Sequence, residues 1–98
     1  PFYRLIQITL RHKDVRVVKQ AAYEMTNLLR AVFGSRILGP IDPAVSRIQN
    51  LFIKQIILKI ENEASQAKAK EILQSISNQI LADSKFKSVR IGLDVDPM

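Results

Sequence analysis

The residue types that perform acid, base or metal chemistry are few in this sequence. The single histidine, His12, stands beside Asp14 and two basic residues, without a serine, cysteine or second histidine at a catalytic spacing. We expect it to be structural or solvated rather than catalytic. Asp94 and Asp96 share one face of a predicted strand and could bind a divalent metal, but no third ligand lies near them. We expect these two carboxylates to be structural, pairing with basic side chains.

The sequence also lacks the loops and ligands that other activities require. None of its three glycines belongs to a phosphate-binding loop such as G-x-x-x-x-G-K-[ST], so this chain alone is not expected to hydrolyse ATP. It has no cysteine, which excludes disulfides, thiolate zinc sites and cysteine nucleophiles. No apolar run approaches the roughly 20 residues that cross a bilayer. We expect a cytoplasmic chain with no catalytic residues, metal or cofactor of its own, and no membrane partner.

The basic residues are more informative. Fifteen Lys and Arg stand against nine Asp and Glu, a net charge of +6 that attracts phosphates or acidic peptides. Several cluster around the predicted first strand and the start of the first helix, and others flank a proline loop: Arg4, Arg11, Lys13, Arg16, Lys19, Arg36 and Arg47. No aromatic pairs alternate with them, so any nucleic-acid contact is expected at the backbone rather than at the bases.

A second basic group begins the predicted second helix. Lys68 and Lys70 lie in its first turns, and Gln66 and Lys70 are one turn apart on one face. Cations at a helix N-terminus oppose the macrodipole, at a cost of a few tenths of a kcal/mol. This face is either solvated or suited to an acidic peptide.

Hydrophobic periodicity predicts the elements that position these residues. Alternation predicts strands over residues 3–11, 51–60 and 89–96, and the segment 36–41 reads as an edge strand because of Gly39-Pro40. Helical stripes run from Val18 to Val32, after an N-cap at Asp14 and before Gly34, and from Ala69 to Ile80, after an N-cap at Ser65. Lys54 interrupts an apolar strand face, where its stem can cover apolar surface while its ammonium reaches solvent.

The predicted order is strand, helix, strand, strand, helix, strand. This is the βαββαβ split of ferredoxin-like and ribosomal-protein-like α+β folds: a four-stranded, mostly antiparallel sheet with two helices on one face. Residues 1–98 are expected to form one domain, excised from a longer protein because no initiator methionine is present. The helix-free face carries Tyr3, Leu5, Ile53 and Ile57 and is expected to be partly buried against another domain.

Several short motifs resemble one family. Residues 37–48 (ILGPIDPAVSRI) resemble the LGP-x-x-P-x-x-x-R stretch in the C-terminal domains of PriA-type bacterial primosomal helicases (primosomal protein N′). Residues 3–6 (YRLI), the strand with Phe52 and Lys54, and residues 93–97 (LDVDP) match further motifs in the same order. The chain is therefore identified as similar to this domain along nearly its whole length.

The resemblance implies a non-catalytic part of an ATP-dependent helicase that moves 3′ to 5′ and restarts replication at forks with other primosome proteins. ATP, magnesium and zinc would be bound by the parent outside this segment. The resemblance implies non-specific binding of forked or single-stranded DNA, docking to the parent's remaining domains, and contact with the single-stranded DNA-binding protein SSB. It places DNA or domain contacts at Arg47 and Lys54, and the acidic SSB tail at Gln66 and Lys70. Lysines and isoleucines replace the tryptophan of some relatives, so base stacking is not expected there.

The full set of predicted DNA contacts is Arg4, Arg11, Lys13, Arg47 and Lys54, and that of SSB contacts is Gln66, Lys68 and Lys70. Two other functions stay open at this point. A stand-alone ribosomal-type protein with this fold would bind structured RNA at least as well as DNA. A purely structural docking domain would turn its basic residues toward its own parent and bind no nucleic acid.

Overall fold

Alternating apolar residues build a sheet from this sequence, and two helices with apolar stripes cover it. The computed structural model describes residues 4–43, 47–61 and 64–95. Its elements in chain order are β1 (Arg4–His12), α1 (Val15–Phe33), β2 (Ile37–Ile41), β3 (Arg47–Ile48), β4 (Leu51–Ile60), α2 (Ala64–Ala82) and β5 (Arg90–Val95). Apart from the two-residue β3, this is the predicted βαββαβ order, and the α+β fold is confirmed.

The sheet has the strand order β2-β4-β1-β5, with β3 beside β4, and every pairing is antiparallel. The central strand β1 pairs with β4 from Arg4 opposite Ile60 to His12 opposite Phe52. The predicted edge position of β2 is confirmed, and its register shifts between Leu38 and Ile41, on either side of Gly39-Pro40. An edge strand tolerates this proline because its missing N–H interrupts no central ladder.

One face of the sheet is buried beneath both helices. Ile6, Ile8 and Leu10 of β1 are fully buried, and the same core cluster includes the apolar faces of α1 and α2. From β4 it receives Ile56, Leu58 and Ile60, and Ile91, Leu93 and Val95 of β5 pack against it. Phe86, in the connection after α2, is 1% exposed and also belongs to this core.

Helix α1 begins and ends where its capping residues predict. The Arg16 N–H donates to Asp14 Oδ1 at 2.9 Å, and Gly34 follows the last turn with φ 62°. The predicted apolar stripe is buried except at Leu28, which is half-buried, and at Val32, which is 53% exposed. In the last turn Phe33, rather than Val32, packs against the core.

Helix α2 carries the predicted apolar stripe, with Ala69, Leu73, Ile76 and Ile80 buried. Its predicted N-cap is wrong, because the helix begins at Ala64 and Ser65 therefore lies inside the first turn. A side chain caps a helix only from the position that precedes the first helical residue. Neither helix is both long and apolar enough to cross a bilayer, within the residues described.

The opposite side of the sheet, here called the open face, is covered by neither helix. Strand register assigns to it Leu5, Gln7, Thr9 and Arg11 of β1, Ile53, Gln55, Ile57 and Lys59 of β4, and Arg90, Gly92 and Asp94 of β5. The predicted face assignments of Leu5, Ile53 and Ile57 are confirmed, while Tyr3 lies outside the described residues. Ile53 is only 4% exposed although it is not part of the core cluster.

Candidate nucleic-acid interface

Two arginines face each other across neighbouring strands at one end of the open face. Arg11 of β1 lies directly opposite Arg90 of β5, and on its other side Arg11 lies opposite Ile53. Partners in an antiparallel pair point to the same face, with Cβ atoms roughly 4.5–5.5 Å apart. Both arginines are exposed, whereas Ile53 is buried beside them. The two arginine side chains are therefore accessible to solvent beside a buried isoleucine.

This arginine pair has no counter-ion in the described part of the chain, where neither guanidinium forms an ion pair with a carboxylate. The nearest acidic residue on the same face of β5 is Asp94, opposite Gln7 and two register rows away. Like charges placed directly opposite each other destabilise a sheet. An anion bound between the two arginines relieves that repulsion, and a phosphate accepts guanidinium N–H groups with matching geometry.

Two further predicted contacts lie at the same end of the sheet. Lys13 follows the last residue of β1 and is exposed. Arg47 lies opposite Phe52, which in turn lies opposite His12. Its guanidinium carbon is 5.0 Å from the centre of the Phe52 ring, and its Nη2 donates to Asn50 Oδ1 at 3.3 Å. Register places Arg47 on the helix-covered side of the sheet and Arg11 and Arg90 on the open face, so the four cations share one end of the sheet rather than one face. We call Arg11, Lys13, Arg47 and Arg90 the basic end.

Lys54 is placed differently from these residues. It lies opposite Leu10, on the helix-covered side of the sheet like Arg47, but unlike the exposed Arg47 its side chain is only 18% exposed. Its ammonium contacts the carboxylate of Asp42, whose side chain is 65% exposed. This burial fits the prediction that the aliphatic stem of Lys54 covers apolar surface. The charge of its ammonium group, however, is already paired with Asp42. A DNA contact at Lys54 stays a prediction.

Arg4 lies at the opposite end of β1 from the basic end. Arg11 comes seven positions later in the strand, which corresponds to roughly 23 Å. Together with Gln66, Ala67 and Lys70 of α2 it lines an open depression of about 420 Å³. The structure therefore separates Arg4 from the other predicted DNA contacts and brings it to the predicted SSB contacts. Lys68 is exposed on the same helix and does not line this depression.

His12 is held by hydrogen bonds at both ring nitrogens. Its Nδ1 accepts the Asp14 backbone N–H at 2.9 Å, and its Nε2 lies 2.8 Å from Ser88 Oγ. Since Nδ1 accepts, the neutral ring carries its proton on Nε2 and donates it to the serine. A histidine in this tautomer cannot take a proton from Ser88, so the pair is not a nucleophile and its base. His12 is 7% exposed, which favours the structural over the solvated interpretation.

The predicted structural carboxylates are only partly described. Asp94 is exposed on the open face, and Asp96 lies outside the described residues. Over residues 4–43, 47–61 and 64–95, no three side chains of His, Cys, Asp or Glu come close enough to hold a metal ion.

Sequence reasoning overlooked three of the residues that matter here. Arg90 lies in the strand predicted over residues 89–96, but its position opposite Arg11 depends on register, which alternation does not specify. Ser88 lies 76 residues from His12 in sequence, and no local signal links them. Tyr23 is exposed on helix α1, one turn after Lys19. An aromatic residue at this spacing from a basic one was a signal of a possible ligand surface that the sequence did offer.

The comparisons with known proteins agree along the whole chain. The family model of the primosomal protein N C-terminal domain matches residues 1–98. The replication restart protein PriA of Bacillus subtilis (strain 168) is 29% identical over 100 residues, covering 99% of this chain and 12% of that protein. The probable replication restart protein PriA of Deinococcus radiodurans is 27% identical over 99 residues, covering 99% of this chain and 10% of that protein. The chain spans about a tenth of the length of these curated relatives.

Solved structures support the fold alone. A de novo designed protein, Foldit4, superposes with a TM-score of 0.68 at 6% identity, and the match covers 98% of each chain. A hydantoinase/carbamoylase family amidase from Burkholderia ambifaria superposes with a TM-score of 0.53 at 14% identity over 95% of this chain and 27% of that one. Identities this low carry no functional information, since one fold hosts many functions.

Proposed function

Because this chain belongs to the primosomal protein N C-terminal domain family, as its motifs predicted, we propose that it is the non-catalytic DNA-holding module of a replication-restart protein. The parent would be an ATP-dependent 3′ to 5′ helicase of the bacterial cytoplasm. Its ATPase and zinc-binding parts would lie outside this segment. The module would hold forked or single-stranded DNA while the parent remodels the fork and other primosome proteins assemble.

The observation that carries this proposal is the pair of exposed arginines, Arg11 and Arg90, opposite each other without a counter-ion among the described residues. Lys13 and Arg47 extend the positive charge at the same end of the sheet. Lys and Arg contacts to phosphates supply most sequence-independent affinity for nucleic acids. The basic end therefore supports binding to the DNA backbone without a preference for base sequence.

A salt series on the 98-residue chain tests this function. We expect a labelled fork and a labelled single strand to bind, with affinity that falls steeply as salt rises. Replacing both arginines (Arg11→Gln with Arg90→Gln) should weaken binding and reduce the slope of log affinity against log salt by about 2, roughly one for each lost phosphate contact. Lys54→Met should have a smaller effect, because Lys54 already contacts Asp42.

The matched control removes the same charge far from the basic end, in Lys68→Gln with Lys70→Gln. If both double variants lower the affinity equally, only net charge matters and the basic end is not the site. If the folded chain binds no nucleic acid at low salt, it is a docking module for its parent. If it binds duplex RNA at least as tightly as DNA, it behaves as a ribosomal-type RNA-binding protein.

We further propose that the depression around Arg4, Gln66 and Lys70, with Lys68 nearby, receives the acidic tail of SSB. What supports this is the meeting of two basic side chains and an amide at the N-terminal part of a helix that has no acidic residue in its first turn. The same two double variants test this proposal, with their roles as test and control exchanged. Compared with the unsubstituted chain, the Lys68→Gln, Lys70→Gln variant should have a lower affinity for an acidic peptide. The Arg11→Gln, Arg90→Gln variant should have an unchanged affinity for it. The opposite ranking would contradict this assignment.

A further inference from the structure

Helix α1 exposes an aromatic ring among basic residues on its outer side. Tyr23 is 61% exposed, the largest exposed fraction among the large hydrophobic residues of the described chain. Arg16, Lys19 and Gln20 precede it by seven, four and three residues, spacings that place side chains on one helix face. Tyr23 is therefore not part of the core stripe, and its ring belongs to a surface with two cations.

Pro40 of the edge strand forms the other wall of this surface. Together with Arg16, Lys19, Gln20 and Tyr23 it lines a depression of about 330 Å³ whose lining is almost wholly apolar. We call this depression the Tyr23 groove. A flat aromatic ring beside a proline ring, with charges only at the rim, suits a flat ligand that carries negative charge at its edge.

The wall of the Tyr23 groove is held in place by the fold. Arg30, about two turns further along α1 than Tyr23, donates through Nη2 to the Gly39 carbonyl at 3.1 Å, and Gly39 directly precedes Pro40. A Cβ on Gly39 would lie only 3.0 Å from the Gln55 carbonyl oxygen, so the chain packs closely against β4 at this point. The groove is thus preformed, and a ligand need not order it.

The cations at the rim are available to a ligand. Arg16 has a side chain that is 92% exposed, and its Nε lies 3.9 Å from the Asp14 carboxylate, which is itself 42% exposed. An ion pair so long and so solvated is worth little. Lys19 is exposed and forms no ion pair within the described residues. Among the neighbouring acids, Asp42 is engaged with Lys54, and Glu24 lines a different depression, between the two helices.

We propose that the Tyr23 groove binds one unpaired nucleotide of single-stranded DNA, with the base stacked on Tyr23 beside Pro40 and the flanking phosphates at Arg16 and Lys19. This inference rests on the proposed DNA-holding function and deepens it. Every base has a face that can stack on an aromatic ring, so such a site is tolerant of sequence. Bases inside a duplex have no free face, so the site distinguishes single strands from duplex, which a phosphate-binding sheet does not.

The test compares ligands that differ only in their bases. The 98-residue chain and its Tyr23→Ala variant are titrated with a labelled dT oligomer, with an abasic deoxyribose-phosphate oligomer of the same length, and with duplex DNA. Tyr23→Ala should weaken binding of dT about tenfold, in the range that the loss of one stacked base produces. Affinity for the abasic strand and the duplex should not change, nor should the salt slope for dT, because no phosphate contact is lost. Val32→Ala, at an exposed residue of the same helix, is the control.

A direct reporter separates the possible outcomes. The chain has no tryptophan, so Tyr23→Trp introduces a single tryptophan, and dT should quench its emission while the abasic strand should not. Unchanged dT affinity in Tyr23→Ala, or equal losses for dT and abasic strands, would overturn the inference and leave the proposed function standing. Quenching by an acidic peptide but not by dT would also overturn it, in favour of a peptide groove. If the unsubstituted 98-residue chain binds no nucleic acid at low salt, both proposals are overturned.

Discussion

At the scale of single residues, the position of a charged side chain distinguishes a binding residue from a structural one better than the net charge of the chain does. Lys54 and Arg11 are both basic strand residues, yet Lys54 contacts Asp42 whereas Arg11 faces Arg90. A paired lysine has its charge satisfied inside the fold. Two opposed arginines raise the free energy of the fold unless an anion lies between them. The fold therefore retains a local free-energy cost that a phosphate bound between the two arginines would remove.

We predict that Arg90→Glu stabilises the fold and weakens DNA binding together. The substitution replaces a repulsive cross-strand pair with an attractive one, which should raise the free energy of unfolding by about 0.2–1 kcal/mol. Urea unfolding at low salt measures this, and the gain should shrink as salt screens the charges. Lys68→Glu makes the same change in net charge at the far end and should leave DNA binding unchanged, with a gain in stability limited to the few tenths of a kcal/mol that an acid near a helix N-terminus contributes. Loss of stability in Arg90→Glu at low salt would show that the two arginines do not repel each other.

At the scale of elements, the edge strand β2 depends on one glycine. Gly39 has φ 126°, a conformation that residues with a Cβ rarely adopt, and an added Cβ would meet the Gln55 carbonyl oxygen at 3.0 Å. Gly92 in β5 differs on both counts, since a Cβ there would meet nothing within 4 Å. A side chain at position 39 would therefore be strained, whereas the sheet has room for one at position 92.

We predict that Gly39→Ala lowers the free energy of unfolding by about 1–3 kcal/mol, the usual cost of a strained backbone residue. Gly92→Ala should cause no loss and could add a few tenths of a kcal/mol, because glycine weakens a strand interior. Thermal or urea unfolding of the two variants decides between them. Equal stability of both variants would show that β2 does not pack against β4 as closely as described.

The elements themselves were largely predictable from the sequence. Alternation marks β1 and β4, and the apolar stripes with Asp14 and Gly34 mark α1, because these are local patterns of side-chain burial. The errors lie at helix ends. Ser65 was predicted as a cap but lies inside α2, and Val32 was placed in the core where Phe33 packs instead. Helix ends are decided by one turn of backbone, which the periodicity of a stripe does not define.

At the scale of the whole molecule, the candidate site depends on contacts between distant segments. The pairing of Arg11 with Arg90, the meeting of Arg4 with Lys70, and the placement of Pro40 beside Tyr23 all join different elements. Composition predicts an attraction to phosphates, but only register and packing decide which cations share a surface. Of the predicted DNA contacts, the structure places Arg11, Lys13 and Arg47 at the same end of the sheet, with Arg47 on the face opposite to Arg11, separates Arg4 and pairs Lys54 with Asp42.

These separations give the molecule distinct surfaces at its two ends. The basic end and the Tyr23 groove lie near the end of β1 and along α1, whereas the depression at Arg4 lies at the beginning of β1 and α2. A module built in this way could hold a DNA strand and an acidic protein tail at the same time. The two ligands should therefore bind without displacing each other, apart from a modest mutual attenuation through charge.

The most direct measurement is a titration of the ¹⁵N-labelled chain with an unlabelled dT oligomer at low salt, followed residue by residue through backbone amide shifts. We predict that the largest changes fall at residues 9–13 and 90–92, with a second group at residues 16–23, and that residues 66–70 stay nearly unchanged. Shifts confined to residues 66–70, or no shifts at all from a folded chain, would contradict the assignment of the basic end as the DNA-holding surface.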